Sequence, residues 1–299
     1  MRHFLTLRDF DKDEILGLLD FAGRIKKEPK KQLVDKSLAM IFEKNSTRTR
    51  MAFELGITEL GGRALFLSAN DLQLSRGEPV KDTARVIGSM VDFVMLRVNS
   101  HQTLLEFARY SKSPVINGLS DLYHPTQVLG DLLTIKEYGR SGKIAYIGDS
   151  NNMCNSWLIA AAILGLNLSI AIPQNYSING EILEFAKTKA QKSGAKLDFS
   201  NDKFHALKDA QVVITDTWVS MGQESEKEQR LKDFEGFIID EKAMQVAHSQ
   251  AIFLHCLPAY RGFEVSEAVF EAHSKEVFDE AVNRLYIVKA VLCFLDKHR

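Results

Sequence analysis

The chain has 299 residues, is 45% hydrophobic and carries a formal net charge of −1. That is enough apolar sequence for a large core and points to two domains rather than one. A charge this close to zero gives no electrostatic case for nucleic acid or an anionic membrane as the main partner.

The N-terminus, Met1 to Asp9, has no long apolar core and does not read as a signal peptide. The most apolar stretch, Leu158 to Ile172, is short and is broken by Gly165, Asn167 and Ser169, so it is not read as a membrane span. Cys154, Cys256 and Cys293 are widely spaced and include no CxxC pair. Together these features point to a soluble protein of a reducing, cytoplasmic compartment.

Apolar runs alternate with amphipathic stretches along the whole chain. Strands are expected over 38–42, 64–67, 93–98, 115–117, 143–148, 168–172, 196–199, 212–215, 237–239 and 252–255. Helical patterns lie between most of them, as at 103–110, 126–138, 178–192 and 240–247. This alternation predicts an α/β protein with two domains, each a parallel sheet flanked by helices. Ligands in such folds sit beyond the carboxyl ends of the strands, here in an interdomain cleft. The Gly-rich break Tyr138-Gly139-Arg140-Ser141-Gly142 lies near mid-chain and divides the sequence into 1–138 and 139–299. A last helical pattern from Glu280 to Lys297 has no strand after it and can pack on either domain.

Polar clusters follow several of these runs. Lys44-Asn45-Ser46-Thr47-Arg48-Thr49-Arg50 comes after the first strand and opens a helix. Ser46 is a good N-cap, and the hydroxyls of Ser46, Thr47 and Thr49 gather where the helix dipole is positive. That suits a phosphate dianion, with the planar Arg48 guanidinium as a bidentate partner. Taken alone, the stretch reads equally well as a capped helix start with two exposed arginines.

Arg97 closes the run Phe93-Val94-Met95-Leu96, a position suited to an anionic or oxyanionic ligand. In His124-Pro125-Thr126-Gln127, Pro125 suits a first helical turn. His124 then lies at a helix N-terminus, where the dipole disfavours imidazolium. A neutral His124 can donate to a carbonyl oxygen, and the Gln127 amide can donate beside it.

Ile147-Gly148-Asp149-Ser150-Asn151-Asn152 follows a strand but lacks the G-x-G-x-x-G fingerprint, so no nicotinamide or flavin cofactor is expected. Asn151 and Asn152 offer amides to a polar ligand, or serve the turn. Asp216, at a strand end, can hold an ammonium group. Ser220-Met221-Gly222 reads as a loop able to fold over a ligand. Cys256, in His255-Cys256-Leu257-Pro258, suits packing at least as well as chemistry. Arg284 is expected at the start of the last helix, reaching a ligand or lying exposed.

Ser-Thr-Arg-Thr-Arg at 46–50, His-Pro-Thr-Gln at 124–127, Asp216 with Ser-Met-Gly at 220–222, and His-Cys-Leu-Pro at 255–258 occur in one order over the whole chain. In these strings the sequence resembles the aspartate/ornithine carbamoyltransferase family, and within it the ornithine branch. The resemblance implies transfer of the carbamoyl group of carbamoyl phosphate to the δ-amine of L-ornithine, giving citrulline and phosphate, without metal or organic cofactor. It implies that Ser46, Thr47, Arg48 and Thr49 hold the phosphate, and that Arg97, His124 and Gln127 bind the carbamoyl group. Asn152, Asp216, Ser220 and Met221 are implied to bind ornithine. Cys256 and Leu257 would line the reacting centre, and Arg284 would close on the carbamoyl side. Family members are usually trimers with sites at subunit interfaces, which directs Gln73 toward a neighbour's site. Ser150 stands where glycine is common, a change expected to be harmless in that turn. The small size leans toward a role in arginine biosynthesis. The competing readings are a carbamoyltransferase for another amine, such as putrescine or an acylated ornithine, and a silent regulatory homologue.

Overall fold

The computed structural model describes residues 1–219 and 223–299. Contacts divide it into two units, Met1–Leu133 with Val282–Arg299, and Thr134–Ala281. The chain crosses from one to the other within helix α5 (Pro125–Glu137) and again within helix α12 (Ser274–Lys297).

The first unit holds strands β1 (Ser37–Phe42), β2 (Arg63–Ser68), β3 (Phe93–Arg97) and β4 (Val115–Leu119). They pair in parallel, in the order β2-β1-β3-β4. β1 and β3 are central and buried throughout, which is why they read as unbroken apolar runs. The order reverses between β1 and β3, so their carboxyl ends diverge into different loops and leave room for a ligand. Helices α1 (Lys12–Lys27), α2 (Thr47–Glu59), α3 (Val80–Met90) and α4 (His101–Tyr110) complete this unit with the start of α5 and the end of α12. α2 and α12 approach closely at Gly56, where a Cβ would come within 3.0 Å of Val288 Cγ1. This contact brings the α12 residues around Arg284 onto the start of α2.

The second unit holds β5 (Ile144–Ile147), β6 (Asn167–Ala171), β7 (Lys196–Ser200), β8 (Val212–Thr215) and β9 (Ile252–His255), all parallel, in the order β7-β6-β5-β8-β9. Here the order reverses between β5 and β8. The associated helices are α6 (Asn152–Leu164), α7 (Gly180–Ser193), α8 (Lys203–Leu207), α9 (Lys227–Asp233), α10 (Glu241–Val246) and α11 (Glu267–Ala272). α6 is buried along almost its whole length, and this explains its membrane-like hydropathy. Among the described residues no helix is long and apolar enough to cross a membrane.

The strand expected at 237–239 does not form. Glu235–Phe237 is a 3-10 turn, and Ile239 makes only an isolated bridge to Val265. Ile239 is nevertheless fully buried. The apolar signal there is real, but three residues are too few to distinguish a ladder from a buried connection.

Candidate active site

In the first unit, Ser46 is the N-cap of α2, in extended conformation, and its Oγ accepts from the Thr49 N–H at 3.3 Å. Thr47 is exposed, Arg48 is half-buried and Thr49 is fully buried. The Thr49 hydroxyl accepts from Arg284 Nη2 at 3.0 Å, which leaves its own proton to donate. Arg97 ends β3 directly across from Phe42, and its carbonyl accepts from Glu43 N–H at 2.9 Å. It is buried, as are His124, Gln127 and Arg284.

His124 directly precedes α5, whose N-terminus disfavours added positive charge. Burial drives its pKa well below the ordinary value of 6.5, and the charges of Arg284, Arg97 and Arg48 lower it further. His124 is therefore neutral at pH 7, and guanidiniums from three separate elements lie close enough to act on it. Such a group of cations suits an anionic ligand. Gln127 donates from Nε2 to the buried Asp131 Oδ1 at 3.0 Å, one helical turn on, which fixes the amide. Gln73 lies in an exposed 3-10 turn, Gln73–Arg76, between β2 and α3.

In the second unit, polar groups gather past the ends of β5, β8 and β9. Asp216 is buried. Its Oδ2 accepts from Asn151 Nδ2 at 2.7 Å, and its Oδ1 accepts from Cys256 Sγ at 2.9 Å and Thr217 N–H at 2.7 Å. All three donors are neutral, and together they fix the direction of the Asp216 side chain. Asn151 also N-caps α6, accepting from Met153 N–H at 2.9 Å and Cys154 N–H at 3.3 Å. Asn152 is the first residue of α6. Tyr146 places its hydroxyl 3.1 Å from Asn151 Oδ1 and 3.0 Å from the Asp149 carbonyl. Burial and the Asp216 charge raise its pKa well above 10.0, so it stays a donor.

A second buried carboxylate, Asp149, pairs with the buried Arg230. Burial raises the Asp149 pKa to about 6; the guanidinium opposes the shift and the nearby Asp216 adds to it. Arg230 also donates to the Trp218 carbonyl at 2.6 Å and lies 5.0 Å from the Tyr176 ring centroid. It thereby ties α9 to the segment that follows Asp216. His255 accepts from Leu257 N–H through Nδ1 at 2.8 Å and meets Glu264 Oε1 through Nε2 at 3.1 Å. The proton therefore lies on Nε2. Leu257 has φ +59, in the left-handed region that a branched side chain rarely adopts, next to half-buried Cys256.

Residues 2–137 match the family profile "Aspartate/ornithine carbamoyltransferase, carbamoyl-P binding domain". Residues 141–295 match its "Asp/Orn binding domain". The chain belongs to the aspartate/ornithine carbamoyltransferase family. Among curated members, it is 74% identical over 303 aligned residues to an ornithine carbamoyltransferase of Campylobacter jejuni, covering 100% of this chain and 99% of that one. The solved structure of an anabolic ornithine carbamoyltransferase from Campylobacter jejuni superposes with a TM-score of 0.98 at 72% identity, over 100% of both chains. The enzyme from Pyrococcus furiosus superposes with a TM-score of 0.92 at 43% identity, covering 97% of this chain and 96% of that one.

Two expectations about single residues change. Arg284 is not at the start of the last helix, because α12 already begins at Ser274; the residue is buried in the helix interior against Thr49. The Asn151 side chain serves both the turn and Asp216. Ser220 and Met221 lie outside the described residues. Sequence reasoning did not find Tyr146, Asp149 or Arg230. Tyr146 looked like one more apolar strand residue, and Arg230 sits in a charged stretch with no local signal.

Proposed function

We propose that this chain transfers the carbamoyl group of carbamoyl phosphate to the δ-amine of L-ornithine, giving L-citrulline and phosphate in arginine biosynthesis. The observation that carries this reading is the trio Arg48, Arg97 and Arg284 around a neutral His124, in a family member whose other unit carries a neutrally hydrogen-bonded Asp216.

Ser46, Thr47, Arg48 and Thr49 hold the phosphate on the N-terminus of α2. Arg97, His124 and Gln127 bind the carbamoyl group, with Arg284 on the same side. Asp216 takes the α-ammonium of ornithine; Asn152, Ser220 and Met221 complete its amino-acid end. Residues 1–138 form the carbamoyl-phosphate domain and 139–299 the ornithine domain, with the end of α12 returning to the first. The neutral δ-amine attacks the carbonyl carbon, and negative charge grows on the carbonyl oxygen. Arg97, neutral His124 and the Thr49 hydroxyl are preorganised donors to that oxygen. The bond from carbon to the bridging oxygen then breaks, and phosphate departs while still held by Arg48 and the helix N-terminus. The amine passes its proton to the departing phosphate, and no covalent enzyme intermediate forms. Cys256, held to Asp216, and Leu257 orient the amine rather than attack.

We further propose a cytoplasmic homotrimer in which Gln73 reaches a neighbouring subunit's site. Support comes from exposed apolar side chains on α2 and β2: Met51 is 53% exposed, Leu55 40% and Leu65 44%. Sedimentation should give the mass of three chains. Turnover against a panel of amines, with carbamoyl phosphate as donor, tests the activity. Ornithine is expected to be strongly preferred over Nα-acetylornithine, which has no free α-ammonium, and over putrescine, which keeps a second ammonium but lacks the α-carboxylate. Equal turnover of ornithine and Nα-acetylornithine would remove Asp216 from its role.

A further inference from the structure

Behind His124 lies a buried polar network that the reaction does not use directly. The turn Ser120–Tyr123 delivers the chain into His124. It is closed by Ser120 N–H donating to the Tyr123 carbonyl at 3.0 Å, and by Tyr123 N–H donating to Ser120 Oγ at 3.2 Å. One residue from another element touches this turn three times. His101, the first residue of α4, places Nδ1 3.0 Å from Ser120 Oγ, and its backbone N–H donates to Asp121 Oδ1 at 2.6 Å. Its ring meets the Tyr123 ring edge-on, centroids 4.8 Å apart and planes at 84°.

We infer that His101 is a positioning residue for carbamoyl transfer: it holds the Ser120–Tyr123 turn so that His124 is aimed at the carbamoyl oxygen. This rests on the role given to His124 above.

The hydrogen-bond pattern fixes how His101 acts. Ser120 Oγ already receives a proton from Tyr123 N–H, and Asn117 Nδ2 lies 3.4 Å away as a further donor. The Tyr123 carbonyl already accepts from Ser120 N–H at 3.0 Å and lies 3.4 Å from Ser120 Oγ, farther than His101 Nδ1 at 3.0 Å. The Ser120 hydroxyl proton is therefore best placed on His101 Nδ1, so the imidazole accepts there and carries its proton on Nε2. Burial lowers the His101 pKa and favours this neutral form. Asn117 anchors the far side of the network, donating from Nδ2 to the Leu5 carbonyl at 2.9 Å. Every group in the turn is then oriented by a neighbour, as precise aiming of a donor requires, since small displacements of a catalytic group are costly.

The inference is tested by a double-mutant cycle between His101 and His124 in the full-length protein. Citrulline formation by the unaltered protein comes first; its absence would overturn the functional reading itself, before His101 is at issue. Given activity, H101L should lower kcat/KM for carbamoyl phosphate by about tenfold or more, mostly in kcat. Inhibition by inorganic phosphate, which needs the α2 terminus and not His124, should stay within about twofold. H101N offers an amide oxygen in place of Nδ1 and should recover most of the loss. In an H124A background, H101L should add nothing, because the two act as one unit. Should H101L not fold, S120A removes the same contact and enters the same cycle. Losses that multiply in the double variant, phosphate inhibition that weakens in step with kcat, or unaltered turnover in H101L and S120A would each overturn the inference.

Discussion

In the first unit, the carboxyl ends of β1, β3 and β4 and the segments that follow them present Arg48, Arg97 and a neutral His124. In the second, those beyond β5, β8 and β9 present Asp149, Asp216 and Cys256. Both units are parallel sheets with an order reversal at the second or third strand position, and in both the polar residues gather at the carboxyl ends. The backbone plan is shared and the charge is opposite. One collects guanidiniums and keeps its histidine uncharged. The other holds two buried aspartates, one paired to Arg230 and one accepting from Asn151, Thr217 and Cys256. The sheet decides where a ligand can sit; side chains at a few strand tips decide which ligand it is.

The largest effect should come from the cationic side. Arg48→Ala should lower kcat/KM for carbamoyl phosphate by about 2–4 kcal/mol, as expected for a preorganised charged donor. Steady-state citrulline formation measures it, and an unchanged value would remove the phosphate role. The anionic side should answer selectively. Asp216→Asn should weaken ornithine by about 2–3 kcal/mol while the KM of carbamoyl phosphate hardly moves. Loss of both affinities together would mean that the two half-sites do not divide the substrates as proposed.

Asn151→Ala sharpens the contrast on a smaller scale. It removes a helix cap and one of the donors that orient Asp216. Urea unfolding should show a loss of about 1–2 kcal/mol, with a raised ornithine KM. A stability loss with ornithine KM unchanged would leave Asn151 as a cap alone. The smallest effect is one of pH. Since the folded pKa of His124 lies below 6.5, the folded protein binds fewer protons than the unfolded chain once pH drops below that value. Stability attributable to His124 is therefore intact above 6.5 and lost as pH falls toward the folded pKa. Urea midpoints between pH 7 and pH 5 should fall less steeply in His124→Asn than in the unaltered protein. Parallel slopes would show that His124 can take up a proton in the folded state.

Much of this was legible along the chain. Unbroken apolar runs declared the buried parallel strands, because such strands are covered on both faces and need no polar alternation. The Ser46 cap and Pro125 declared helix starts through local backbone chemistry, and these starts carry the hydroxyls and the histidine. Tertiary structure alone decided the rest. Arg284 meets Thr49 only because α12 returns over α2, across a separation no local pattern reports. Arg230 looked like one charge among many until burial set it against Asp149. The order of residues sets propensity, period and caps, which act over a few positions. Which distant charges become neighbours, and therefore which histidine stays neutral, depends on burial and through-space distance, quantities that exist only once the chain has folded.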